Sequence, residues 1–319
     1  MTTACAMELK IVRAESLAPD IRRLLLARAD GGDLPGFEAG AHLRLRVELP
    51  DGSSKLRDYS LVDLPNGRTY EIAVLREAAG DGGSAAIHAL REGDRLELDA
   101  SANDFALAPH AEESLLVAGG IGITPILCMA RSLAARGAAM ELHYAARERE
   151  RMAYSDEVAA LGGALYLDGG DPARGIPLGP LLAEPRPGRH LYVCGPRGLI
   201  GAVLDRAAAS GWPPARLHFE SFGGAVALGR DRPIRLELRA SGRTLEVPAD
   251  QSILDALIDA GLDPLFDCKR GECGMCMTTV LGGTPDHRDH ALTPREREQG
   301  KVICTCVSRA STPVLVLDL

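Results

Sequence analysis

Cys268, Cys273, Cys276 and Cys306 stand at the spacing C-x4-C-x2-C-x29-C. Iron bridged by sulfide needs thiolates to complete its tetrahedral sites, and C-x4-C-x2-C with a distant fourth cysteine is a ligand pattern of [2Fe–2S] clusters. Gly271 and Gly274 lie inside the loop. They allow tight turns that aim backbone N–H groups at sulfur. Structural zinc usually takes cysteines as two C-x2-C pairs, which this spacing fits poorly. Cys304 competes with Cys306 for the fourth position. In a strand both would point to the same face, so periodicity does not separate them.

A second constellation is Arg57-Asp58-Tyr59-Ser60. An arginine can pair with a phosphate, a tyrosine can pack on a ring, and a serine hydroxyl can bond a ring nitrogen. Downstream, Gly82-Gly83-Ser84 precedes a short helical run, Ala85–Leu90. Glycines at a helix start expose N–H groups to a phosphate. Together the two pieces suit flavin mononucleotide (FMN); alone, each reads equally as an ordinary strand or turn.

A third constellation, Gly119-Gly120-Ile121-Gly122-Ile123-Thr124-Pro125, joins a strand to a helix. It is not the G-x-G-x-x-G fingerprint, but small residues and a helix N-terminus still favour a pyrophosphate. Pro125 suits the first helical turn. Cys194-Gly195-Pro196 and Asp168 each end another strand at the same sheet edge, where open α/β sheets bind ligands. Asp168 could bond ribose hydroxyls, favouring NADH over NADPH, or simply cap a turn.

The elements carrying these residues fall into three regions. Residues 1–110 read as short strands separated by turn signals, which predicts an antiparallel β-barrel. Leu43, Leu45, Val47 and Leu49 alternate with His42, Arg44, Arg46 and Glu48, the first set inward and the second outward. Residues 111–224 alternate strand and helix, predicting an α/β domain with a parallel sheet. After a linker at 223–232, residues 233–319 begin with a hairpin, followed by a helix over Ile253–Ala260, the cysteine loop and a last apolar strand. A net charge of −8 with no basic stripe argues against nucleic acid. No apolar run is long enough for a membrane span, and the N-terminus lacks a signal-peptide core. Clustered thiols fit a reducing cytoplasm.

In this order the three regions resemble the phthalate dioxygenase reductase family, which includes the vanillate demethylase reductases. The resemblance rests on the motifs above, on His218-Phe219-Glu220-Ser221-Phe222-Gly223, on Asp286-His287-Arg288-Asp289 and on Cys306-Val307-Ser308-Arg309-Ala310. It implies a multi-domain chain: an FMN barrel, an NAD domain and a C-terminal plant-type ferredoxin domain of the α+β, β-grasp class. FMN would be held by Arg57, Tyr59, Ser60, Gly82, Gly83 and Ser84, with Ala73 and Val74 bordering its ring. NADH would be served by Gly120, Thr124, Asp168, Cys194 and Gly195. Phe222 would stack where nicotinamide approaches. Ser60 and Phe222 would position the reaction; no acid, base or nucleophile is required. Cys306 would be the fourth ligand, in its Thr-Cys-Val context.

The implied activity is that of an NADH-dependent oxidoreductase passing electrons through FMN and a [2Fe–2S] cluster to a Rieske-type oxygenase. The expected protein is monomeric and cytoplasmic. A stand-alone flavin or ferric reductase and a redox-sensing binding protein are the competing readings.

Overall fold

The computed structural model describes residues 7–78, 82–222, 231–266, 269, 271, 273–289 and 291–319. The chain divides into two compact units, Met1–Ser221 and Phe222–Leu319.

The first unit begins with a six-stranded antiparallel barrel. Its strands are β1 (Met7–Ala18), β2 (Ile21–Arg28), β3 (His42–Glu48), β4 (Ser54–Ser60), β5 (Tyr70–Leu75) and β6 (Arg95–Ala102), in the order β4-β3-β6-β1-β2-β5. A bridge between Leu61 and Ile72 joins the two end strands. The inward alternation of Leu43, Leu45 and Val47 is as expected, and all three are buried. His42 departs from it. It is 2% exposed, on the side assigned to solvent, and pairs with Ser60 and Ala102. Short helix α1 (Gly83–Ala89) packs against β3 and β5.

The sheet that follows is wholly parallel, in the order β11-β10-β7-β8-β9. Its strands are β7 (Glu113–Gly119), β8 (Ala139–Ala146), β9 (Ala164–Leu167), β10 (Arg189–Cys194) and β11 (Leu217–Glu220). Helices α2 (Ile123–Ala135), α3 (Ser155–Ala160), α4 (Leu178–Leu181) and α5 (Arg197–Ala209) connect them. β7 reads as an unbroken apolar run because both its faces are covered. One face shares a core with the barrel's outer wall: Ala18, Ile21, Val62 and Ala73 pack with residues of α2, Tyr144 and Tyr192. The other face packs on α4, α5 and Trp212. Chain order reverses between β7 and β10, the switch point at which open α/β sheets open a crevice.

The second unit is built on a five-stranded sheet of order β13-β12-β18-β14-β16. Its strands are β12 (Ile234–Leu238), β13 (Arg243–Val247), β14 (Met277–Gly282), β16 (Val302–Cys304) and β18 (Val314–Leu317). β12 and β18 run parallel, and the remaining pairs are antiparallel. The two-residue strands β15 (Pro285–Asp286) and β17 (Arg309–Ala310) form a separate ladder. Helix α6 (Ile253–Asp259) buries Ile253, Ala256 and Leu257 in the sheet's core. Ser252 caps it by accepting the Asp255 N–H. Helix α7 (Pro294–Gln299) starts with a capping box between Thr293 and Glu296.

Candidate functional site

The cysteine loop is anchored from below by a small apolar cluster of Leu254, Leu292, Val307, Cys276, Cys304 and Cys306. Cys276 is 4% exposed and Cys306 3%, whereas Cys273 is exposed. Cys268 lies outside the described residues. The backbone is shaped to bring thiolates together. Gly271 has φ +79°, and a Cβ there would meet Val307 Cγ2 at 2.5 Å. Gly274 has φ +71°. The Met275 N–H donates to Cys273 Sγ at 3.4 Å, the kind of N–H to sulfur bond that supports a cluster ligand.

β16 ends at Cys304, and Cys306 sits in the following turn, so a common strand face is not what relates them. That turn closes through the Ser308 N–H to the Cys304 carbonyl at 3.0 Å. The side chains of Cys304 and Cys306 both hydrogen-bond Cys276 and hold its thiol down to about 3. The bond to Cys276, together with burial, pushes Cys304 up. The donor set and its tight backbone fit a thiolate-held cluster.

In the barrel, Arg57 and the glycine turn meet. A Cβ on Gly83 would lie 2.9 Å from Arg57 Nε, so the guanidinium stem runs over the bare start of α1. Gly82, with φ +94°, makes that turn. Ser84 Oγ accepts the Glu77 N–H at 3.0 Å. Tyr59 is half-buried beside them on β4. Ser60 is 6% exposed and lies 3.3 Å from Glu220 Oε2, a buried carboxylate at the end of β11. Ala73 and Val74 are buried on β5, just past the Leu61–Ile72 bridge. An arginine over a bare helix start, with a buried serine three residues further along β4, is a donor set that fits a phosphate-tailed ring.

At the C-terminal edge of the parallel sheet a cleft of about 460 Å³ opens. Gly119, Gly120, Ile121, Asp168, Pro196 and Leu199 line it from the sheet. Ala18, Asp20, Ile21 and Leu75 line it from the barrel. The glycines divide their work. Gly120, with φ +53° and no atom within 4 Å of its would-be Cβ, faces open space. Gly122 instead lets the β7 and β10 loops touch: a Cβ there would meet the Cys194 carbonyl carbon at 2.4 Å. Asp168 lines the cleft, and its Oδ1 accepts the Gly170 N–H at 2.7 Å, which is the turn-capping role weighed for it. Thr124 and Cys194 are buried behind the loops, and the Thr124 hydroxyl donates to the Ile121 carbonyl at 3.0 Å. Phe222 is 38% exposed and groups with the second unit.

Glu220 was not singled out from the sequence, although an acid closing a parallel strand at the ligand edge was a usable signal. The barrel's share of the cleft, through Asp20 and Leu75, carried no motif.

The chain is similar over nearly its whole length to known proteins. The family model of the 2Fe-2S iron-sulfur cluster binding domain matches residues 236–311. The chain is 43% identical over 320 residues to the vanillate O-demethylase oxidoreductase of Pseudomonas sp. (strain HR199 / DSM 7063), covering 98% of this chain and all of that one. It is 41% identical over 318 residues to the heme-dependent oxidative N-demethylase beta subunit of Ectopseudomonas mendocina (strain ymp), covering 98% and 99%. A solved phthalate dioxygenase reductase superposes with a TM-score of 0.72 at 40% identity, over 99% of this chain and 98% of that one. That structure is described as modular, for electron transfer from pyridine nucleotides to [2Fe-2S].

Proposed function

Because the chain belongs to the phthalate dioxygenase reductase family, we propose that it is the reductase component of an oxygenase system, taking electrons from NADH through FMN to a [2Fe–2S] cluster. The observation that carries this reading is the shared cleft. Barrel and sheet line one nucleotide-sized space, and β5, which supplies Leu75 to that space, also carries Ala73 and Val74 at the flavin slot. A hydride donor and a flavin would therefore meet along one strand. FMN exchanges electrons in pairs or singly, which couples a hydride donor to a one-electron cluster.

The chain's own groups have positional tasks. Arg57 with Gly82, Gly83 and Ser84 holds the flavin phosphate, Tyr59 packs on the flavin, and Ser60, braced by Glu220, sets the ring edge. Gly120 gives the pyrophosphate a close backbone approach, and Asp168 takes the ribose hydroxyls, favouring NADH. Thr124, Cys194 and Gly195 support that site by fixing the two loops, and Phe222 keeps the nicotinamide role that the family resemblance implies. Cys268, Cys273, Cys276 and Cys306 hold the cluster.

The acceptor is a Rieske-type oxygenase, the monomeric protein acting in the cytoplasm. Among the described residues no helix is long and apolar enough to cross a membrane. A heme-dependent acceptor is the second reading, favoured by the N-demethylase relative. Flavin, iron and sulfide analysis with NADH-driven cytochrome c reduction tests the proposal. All three components and rapid reduction are expected. Zinc in place of iron, or a protein without flavin, would contradict it. Cofactors without turnover would leave a sensor.

A further inference from the structure

The core shared by barrel and sheet is largely apolar, and buried carboxylates interrupt it at Glu220, beside Ser60, and at Glu71. Glu71 lies on β5, two residues before Ala73, and is 2% exposed. Its Oε2 accepts from Arg23 Nη2 at 2.7 Å, within the barrel. Its Oε1 accepts the Tyr154 hydroxyl at 2.8 Å, from the loop that leads into α3 of the sheet. Burial and the Glu71 charge push the Tyr154 phenol up, which keeps it a neutral donor.

Tyr154 is held in an unusual way. Its φ is +58°, and among the described residues the other non-glycine with positive φ is Lys269. A bulky residue in the left-handed region persists only where surrounding contacts over-determine it. Helix α2, which starts at the glycine loop of the cleft, grips the same place from its other end. Arg131 Nη1 donates to the Val62 carbonyl at 2.9 Å, and Cys128 Sγ donates to the Asp63 carbonyl at 3.3 Å. The Val62 N–H in turn donates to the Glu71 carbonyl at 3.0 Å. Every one of these bonds falls on the chain just after Ser60 or on β5 just before Ala73, the segments that carry the flavin assignments.

We propose that Tyr154 is a positioning residue: its hydroxyl, held by buried Glu71, locks the nucleotide sheet onto β5 and so sets the spacing at which nicotinamide meets the flavin. Apolar packing alone would be satisfied by phenylalanine, which fills nearly the same volume. The hydroxyl adds direction, and a buried bond to a charged acceptor tolerates little displacement. The role rests on the flavin and nicotinamide reading above.

Tyr154→Phe in the full-length holoprotein tests it. Two readouts are taken beside flavin content and thermal unfolding. One is the charge-transfer absorbance formed when NAD⁺ is added to the reduced flavin, which reports ring stacking. The other is the KM and kcat for NADH. The expected variant keeps its flavin and its cooperative unfolding, loses at least about half of the band, and drops kcat about 10- to 100-fold with KM within about 2-fold, the signature of a small misplacement. Glu71→Gln, which keeps an oxygen for the phenol to donate to, is expected to retain most of the band.

A band and kcat within about 2-fold of wild type in Tyr154→Phe would overturn the proposal. So would loss of flavin or of cooperative unfolding in that variant, which would make Tyr154 a folding support. Loss of the band in Glu71→Gln would overturn it too, by assigning the effect to the Arg23–Glu71 charge pair. A wild-type protein with no band would instead contradict the flavin and nicotinamide reading itself.

Discussion

At the residue scale the cysteines give the sharpest test. Cys304 and Cys306 both reach Cys276, but Cys304 ends a strand at 0% exposure while Cys306 sits in the turn that follows. Cys306→Ser is expected to lose iron and labile sulfide, and Cys304→Ser to retain both; iron analysis of the two variants checks this, and the reverse pattern would move the ligand to Cys304. Arg57 makes a second test. A charge-assisted bond to phosphate is worth about 1.5–3 kcal/mol, so Arg57→Ala should weaken FMN binding about 10- to 150-fold, read as a dissociation constant by flavin fluorescence. The cysteines were legible because cluster ligation demands a fixed spacing. The Ser60–Glu220 pair was not, because 160 residues of chain separate two groups that only the fold brings together.

At the scale of elements, close packing of the β7 and β10 loops is what Gly122 secures. Gly122→Ala would drive a methyl into the backbone at Cys194 and Gly195. Overpacking of this kind costs about 1–3 kcal/mol, and an unfolding midpoint lowered together with nucleotide affinity is the expected result. β10 and β11 carry a further signature. His190 Nδ1 and His218 Nε2 lie 2.9 Å apart, and His218 stacks on Tyr192. Burial, then the neighbouring His190, pulls His218 down to about 4. The unfolded chain, with a histidine pKa of about 6.5, binds the extra proton first. Stability should therefore fall as pH drops from about 6.5 towards 4, and His218→Phe should flatten that slope in denaturant titrations at several pH values. The parallel strands were readable from apolar runs broken by glycine turns. Strand β2 was not recognised, because its alternation is blurred by arginines whose stems are half-buried. Helix α7 went unnoticed despite its capping box, since its six residues leave no room for a helical period.

At the scale of the whole molecule, the three larger sheets carry three chemistries in one chain, and each donor set is local to its own sheet: thiolates around β14 and β16, an arginine and a serine on β4, glycine loops after β7 and β10. This modularity is why short motifs could report the order of function along the sequence. The seam between barrel and sheet is mostly ordinary apolar residues, and its buried carboxylates, Glu71 and Glu220, find their partners only in the fold. The central claim is that NADH electrons pass through flavin to the cluster within this chain. Anaerobic mixing of the holoprotein with NADH, followed by absorbance and by low-temperature electron paramagnetic resonance, tests it directly. Bleaching of the flavin band first and a reduced [2Fe–2S] signal after it are expected, with Cys306→Ser keeping the first and losing the second. A cluster that stays oxidised while the flavin is fully reduced, or a flavin that NADH does not bleach, would contradict it.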